Sequence, residues 1–539
     1  MNDMTKRGRG FLSQGAAALL AFVASSAFAA SFDLPNPDYR LRVDTTIRYT
    51  LGIRADGQDS RIMNTPTYDE SDGKFDKGDV VTNRLDLLSE IDFSYLDDWG
   101  ARLSASGWYD QAYDDGKVHS NVPGYSTSYH NSHYSSQVNR YVNGPSGEIL
   151  DAFVWRNFSV GSVPVNVKIG RHTNYWGEGL LFGAHAISYS QAPSDGVKAA
   201  TSPGIETKEV FLPVGQISAK AQVTDSLSVA GQYFYEWDNT RIPYGGTYFG
   251  SADPFFEGPD QFPASAGLDL QRRSSRFGRD NANWGVMAKL NVEAIESTFG
   301  VYYRQFDDYQ PWLVPELRVA QGDYRIVYPR GVKLLGLSFS RVFDSVAVGT
   351  EVSYRKDGAL NTTGVDAADE EGPRGDTLHA VANAVYGLPR TFISDGGTLV
   401  GEFAFSHLNK VTEHEELFKG GSNCSGGTSQ GCSTRNYYAV AANYTPQYQS
   451  IFPSWDLDIP LTVNYGLHGN AASAGGGNEG ALSWSIGAKM TYRAEYEFTL
   501  RYADTHAQSK NGSDNTVAGN GAVGTTDRGW LALTFKTSF

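Results

Sequence analysis

Between Gly170 and Pro203 the chain gathers Arg171, His172, Tyr175, Trp176, Gly177, Glu178, Gly179 and His185. Glycines let backbones approach closely, aromatic rings offer apolar contact area, and charged groups fix an orientation, so this stretch is a candidate constriction on a substrate path. An equally weighted expectation is that Tyr175 and Trp176 pack the same long loop into an interior and keep it shut. Next along the chain, Glu206, Lys208 and Glu209 precede Phe211-Leu212-Pro213. A charged run beside an apolar one could form the rim of an entrance, but the favoured expectation is a salt-bridged loop base, because such pairs are common and individually gain little. Glu236 beside Trp237, and Arg304 near Tyr302, repeat the theme of charge next to an aromatic ring.

These residues do not compose a catalytic constellation. A hydrolase needs a serine or aspartate activated by histidine, and His172, His185 and Asp151 show no spacing that selects them. The sequence has no phosphate-binding loop and no metal cluster, so neither cofactor nor metal is expected. Asp253, Glu257 and Asp260 have the charge for calcium without the ligand spacing. A net charge of −15 argues against a nucleic-acid partner, which requires a basic surface.

The elements that must position these groups are strands. Lys6, Arg7 and Arg9, the apolar run Gly15–Ala24 and Ala27-Phe28-Ala29 predict a secretory leader over 1–29, leaving 30–539 as one domain. No other run is long enough for a spanning helix, so a membrane protein of this sequence must be a closed barrel. Mean hydropathy of −0.38 with 13% aromatic residues suits strands that alternate and average out as hydrophilic. Leu41, Val43, Ile47, Tyr49, Leu51 and Ile53 share one face, while Arg40, Arg42, Arg48 and Arg54 share the other. Leu85, Leu87, Ile91 and Phe93 against Arg84, Asp86, Glu90 and Asp92 repeat it, as does Leu227–Trp237. The arginine stripe facing those acids predicts a cross-strand network in preference to a selectivity filter. The last nine residues (LALTFKTSF) put Leu531, Leu533, Phe535 and Phe539 on a lipid face and Thr534 and Lys536 inward, a closing strand expected to pair with Tyr39–Arg54.

Tight turns at Asp97–Gly100, Gly161–Val163, Thr224-Asp225, Glu293–Ile295, Val342–Asp344 and Arg493–Glu495 alternate with long polar loops over 55–81, 111–147, 172–215 and 239–281. That alternation predicts a transmembrane antiparallel β-barrel of about 18 strands (roughly 16–18), with long extracellular loops, one of them folded into the lumen. Cys424 and Cys432 then fall in an extracellular loop and are expected to form one disulfide.

Asn83–Glu90 (NRLDLLSE), Ala105–Tyr113 (ASGWYDQAY), Gly170–Leu180 (GRHTNYWGEGL), Ile205–Gln216 (IETKEVFLPVGQ), Gln232–Trp237 (QYFYEW) and Tyr328–Tyr354 occur in a specific order and spacing. In these the mature chain resembles a proteobacterial outer-membrane barrel family catalogued as domain of unknown function thirteen hundred and two. The resemblance implies a barrel and a role in moving hydrophobic compounds or lipids, with no catalytic residues. His172-Thr173 stands here in place of an apolar pair, which makes that position more polar than the resemblance leads one to expect.

The expectation is therefore an outer-membrane channel of a Gram-negative bacterium that passes a hydrophobic or amphipathic small molecule, passively or driven by a partner. Expected partners are outer-membrane lipid, the barrel-assembly machinery acting on the strand that ends at Phe539, and a periplasmic carrier protein. The alternatives are a barrel enzyme acting on lipid or polymer at the cell surface, and a structural or adhesive barrel.

Overall fold

The computed structural model describes residues 30–32, 36–512 and 514–539. The leader expected over 1–29 lies outside the described residues. Strands β1 (Tyr39–Arg54), β2 (Val80–Tyr95), β3 (Trp99–Asp110), β4 (Ser146–Val160), β5 (Val163–His172) and β6 (Val214–Gln222) open the ring. They are followed by β7 (Leu227–Phe234), β8 (Trp284–Val292), β9 (Ser297–Phe306), β10 (Val332–Phe343), β11 (Val346–Ala359) and β12 (Arg374–Leu388). The ring is completed by β13 (Gly396–Glu413), β14 (Asn436–Phe452), β15 (Trp455–Asp458 with Leu461–His468), β16 (Leu482–Tyr492), β17 (Tyr496–His506) and β18 (Trp530–Ser538).

Consecutive strands pair antiparallel, and β18 returns to β1 in the register Ile47↔Thr537 through Arg54↔Trp530, which closes an 18-stranded barrel. Thr45 and Phe539 finish the seam by exchanging backbone bonds of 2.6 and 2.9 Å. Beyond it, Ala30–Phe32 pairs with the free edge of β1 at Leu41–Val43. Closure matters because hydrocarbon offers no partner to an exposed strand edge.

Alternation sets the two surfaces. Leu85, Leu103, Val154, Val301, Leu337 and Leu533 point outward and are exposed, while Arg48, Thr50, Arg84, Gln232 and Thr534 point inward and are buried. Tyr39, Phe93, Tyr95 and Trp99 cluster at the turn end of the barrel, as do Trp455, Tyr492 and Phe498. Amphipathic rings at that level suit a membrane–water interface. Three-residue hairpin loops there use left-handed backbone, at Leu96 and Asp97 (φ 47° and 58°) and at Arg493 and Ala494 (φ 54° and 60°).

At the opposite end run loops 55–79, 111–145, 173–213, 235–283 and 307–331, then shorter ones. Three boundaries differ from expectation, the first being that Trp99 and Gly100 already pair in β3. Val342 and Phe343 remain in β10, where they still pair with β11. Strand β7 stops at Phe234, and Trp237 packs among Phe277, Tyr309 and Tyr328 inside the loops, because those loops fold a four-stranded sheet of their own and need a core. Cys424 and Cys432 form a disulfide in the loop between β13 and β14.

Candidate functional site

The loop 173–213 crosses the lumen and is held by acids from the far wall. Glu351 on β11 accepts the amides of Glu178 and Ile187, both at 2.7 Å. Glu402 on β13 accepts those of Leu180, Leu181 and Phe182 at 2.5 to 2.8 Å. Such charge-assisted bonds are the strong ones. They explain the glycines of the sequence motif: a Cβ on Gly177 would lie 2.4 Å from a Glu351 carboxylate oxygen, and one on Gly179 2.7 Å from Ala186. Arg304 on β9 donates to the carbonyls of Ile187, Tyr189 and Ser190 at 2.6 to 2.9 Å. Phe182 fits against Ala404, Ala439 and Ala441, small residues on the inner faces of β13 and β14.

The loop then returns across the lumen. Asp195 caps the short helix Gly196–Thr201 and pairs with Arg241, which also binds Glu148 on β4. Lys198 reaches Glu148 and Ser106, and Ser202 donates to Asp86. The loop base docks on β1, β2 and β18 through Glu209–Arg48 (2.6 Å), Lys208–Glu90 (2.6 Å) and Glu206–Lys536 (2.7 Å).

Of the residues singled out by sequence, Tyr175, Trp176, Glu178, His185, Glu206, Lys208 and Glu209 lie in this one loop, chiefly as fasteners. Trp176 is buried with Ile187, Tyr302, Phe306, Val332 and Leu334. Glu178 pairs with Lys289 at 3.0 Å, and the Tyr175 hydroxyl donates to Gly179. His185 is fully enclosed. Its Nε2–H donates to Gly476 O, so its Nδ1 accepts from His379 at 3.0 Å, and His379 Nε2 in turn accepts from the Thr377 hydroxyl. Burial, then Arg355, pushes the His185 pKa down to about 4, so it is neutral at physiological pH.

Arg171 and His172 lie at the end of β5, Arg171 on its outward face and His172 on its inward face. Arg171 shares its strand face with outward-pointing Ile169, donates to the Pro213 carbonyl and lies 3.7 Å from Glu236. Glu236 itself accepts the Gly215 amide at 2.6 Å. His172 is 1% exposed and bonded to Ser218 Oγ at 2.7 Å, with the Gly170 carbonyl on its other nitrogen. A serine–histidine pair backed by a carbonyl lacks the carboxylate that would stabilise an imidazolium.

The arginine stripe of β1 departs from the cross-strand expectation. Arg48 pairs with Glu209, and Arg54 with Asp72 and Asp527, all loop acids. The β2 acids Glu90 and Asp92 are taken instead by Arg102 on β3. Long guanidinium arms reach past the adjacent strand to the loops that fill the lumen. Asp253, Glu257 and Asp260 also serve separate ends: Asp253 accepts backbone amides of Glu70 and Ser71, Glu257 pairs with Arg272, and Asp260 accepts the His130 amide.

Space remains along β15–β18, a wall that the sequence motifs did not mark. A cavity of about 360 Å³ on the loop side is lined by Tyr248, Phe249, Trp530 and Arg528 together with Thr462 and Arg501. A second, of about 410 Å³ toward the turn side, is lined by Gly204, Ser485, Thr499 and Lys536, again with Thr462 and Arg501. The two meet at that pair of residues, beside the Ala200–Gly204 stretch of the crossing loop. The space exists because inward positions here are short: Thr462, Ser485, Gly487, Ala532 and Thr534. The readable signal was this run of small inward residues.

A closed ring with an outward apolar belt, interfacial aromatics and a lumen filled by its own loop is a membrane-spanning barrel of the outer-membrane type. A family model described as "Protein of unknown function (DUF1302)" matches residues 11–539, and the chain belongs to that family. No curated protein matches it. Among solved structures it is similar to OccAB2 of Acinetobacter baumannii (10% identity, 93% of this chain and 98% of that one, TM-score 0.42). It is also similar to OccK1 (OpdK) of Pseudomonas aeruginosa, with the same identity, coverages and TM-score. The outer membrane channel DcaP of Acinetobacter baumannii is a further likeness (10% identity, 95% and 100% covered, TM-score 0.37).

Proposed function

We propose that the barrel is an outer-membrane channel for a small amphipathic molecule, which travels along the β15–β18 wall beside Ala200–Gly204. The observation that supports this best is the sharing of Thr462 and Arg501 by the two cavities, which makes them successive stations of one route. Tyr248, Phe249 and Trp530 offer an apolar body somewhere to rest near the loop end, and the Thr462–Ser485 hydroxyl pair (2.7 Å) offers polar groups a partner below. Passage is driven by the gradient or by a periplasmic carrier at the turn end.

The purified barrel in planar lipid bilayers tests the reading. Wild type is expected to give stepwise ion currents, and Thr462→Trp, which fills the junction, to cut the unit conductance by about half or more. Absence of current in wild type, or a Thr462→Trp channel as conductive as wild type, would overturn the route.

A further inference from the structure

The cations that face the lumen around this passage are nearly all spoken for. Arg48 is held by Glu209, Lys489 by Asp458 (2.8 Å) and Lys536 by Glu206. Arg501 differs. Its cross-strand neighbours are Gly487 on β16 and Ala532 on β18, neither of which has a side chain able to pair with it. Among the described residues no acid lies within ion-pair distance of its guanidinium. Asp504, the carboxylate that lines the upper cavity, accepts the Thr505 amide at 2.7 Å instead. Glu497 stands two inward positions further down β17, at the level of Lys536.

A guanidinium left without a carboxylate, half-buried and facing two cavities, is an open site for one. Arginine presents parallel N–H groups that match a carboxylate in a two-point contact. Burial without a partner is costly for a charge, so the site gains most when an anion arrives. The Thr462–Ser485 hydroxyls line the same junction and can supply a further donor. Above it lie the rings of Phe249 and Trp530, 5.0 Å apart. An anionic head at Arg501 would leave an apolar tail pointing to those rings.

We infer that Arg501 is the recognition point for the carboxylate of an amphipathic monoanion, with the Phe249–Trp530 surface taking its apolar body. This rests on the passage reading and names the substrate class of that route.

The test uses the full-length barrel in detergent and two probes of the same shape, benzoate and benzamide, followed by titration calorimetry. Benzoate is expected to bind at least about tenfold more tightly than benzamide, a preference that Arg501→Gln removes and Arg501→Lys partly keeps. Retention of the β-sheet circular dichroism signal establishes that each variant is folded. Equal binding of the two probes, or benzoate binding untouched by Arg501→Gln, would overturn the inference. Bilayer currents separate the two proposals. A wild-type barrel that conducts but does not prefer benzoate refutes the carboxylate site alone. One that binds benzoate through Arg501 without conducting keeps the site and refutes the route.

Discussion

The lumen has two walls of opposite character. From β1 to β14, many inward positions bear long charged side chains that end on a loop, as Arg48, Glu90, Arg304, Glu351 and Glu402 do, and others are small residues tightly covered by one, as Ala439 and Ala441 are by Phe182. From β15 to β18, Thr462, Ser485, Gly487, Ala532 and Thr534 face inward, and above the Lys536–Glu206 contact the loop stands off. In this barrel, then, wall charge that ends on a loop marks where the lumen is closed. The open strip is marked by short side chains, and its one unpaired guanidinium among the described residues of that strip is Arg501.

If the charged wall is what keeps the loop across the lumen, removing its two acids should have the largest effect. Glu351→Gln with Glu402→Gln keeps shape but replaces anionic acceptors of five backbone amides by groups that place N–H against N–H. Hydrogen bonds to a charged group are worth about 1.5–3 kcal/mol each, so the loop should leave its seat. Unit conductance in planar bilayers is expected to rise several-fold, to roughly that of an unobstructed barrel of this strand number. An unchanged conductance would mean that the charged wall does not hold the loop in place.

Trp176→Ala sharpens the same contrast with a smaller change. It empties a site packed by Ile187, Tyr302, Phe306, Val332 and Leu334, at a cost of about 3–5 kcal/mol. The expected readout is a lower thermal midpoint with the unit conductance near that of wild type, because Trp176 stands away from β15–β18. A variant with unaltered stability and altered transport would move the route back to the Gly170–Pro203 segment.

How far each wall was legible in the sequence follows from the range of the interactions. Alternation in Tyr39–Arg54 and in Leu531–Phe539 is a local pattern, and it led directly to strands, closure and the facing of Thr534. The charged run Glu206-Lys208-Glu209 was readable as a loop base for the same reason. The partners were not readable. Glu402 and Phe182, or Arg54 and Asp527, meet only through tertiary structure, so the arginine stripe looked paired with its adjacent strand. Arg501 carried no local signal, since what distinguishes it is the emptiness of Gly487 and Ala532 beside it.

The smallest effect should come from protons, and it too differs between regions. Above the passage, loops 55–79, 235–283 and 507–529 meet over Asp253, which accepts the amides of Glu70, Ser71 and Gly246, and over Asp527 beside Arg54. Burial, then Asp69, pushes the Asp253 pKa up to about 7, and burial, then Asp72, pushes that of Asp527 up to about 6. A carboxyl whose folded pKa is raised favours the folded state fully below its ordinary value, and this contribution is lost as pH climbs through the raised one. At the loop base the sign reverses: burial opposes ionisation of Glu206, but Lys536 and Lys208 outweigh it and hold the pKa below the usual value, so that contribution is present above the ordinary carboxylate range and is lost in acid. Between about pH 5 and pH 8 the upper junction should therefore loosen while the base stays as it is. Amide hydrogen exchange, corrected for the intrinsic effect of pH, should show residues 246–253 losing protection over that range and residues 205–216 keeping theirs. Asp253→Asn, permanently neutral, should flatten the response of the first segment. Equal pH dependence of both segments, or an undiminished response in Asp253→Asn, would show that the difference between the two regions does not extend to their titration.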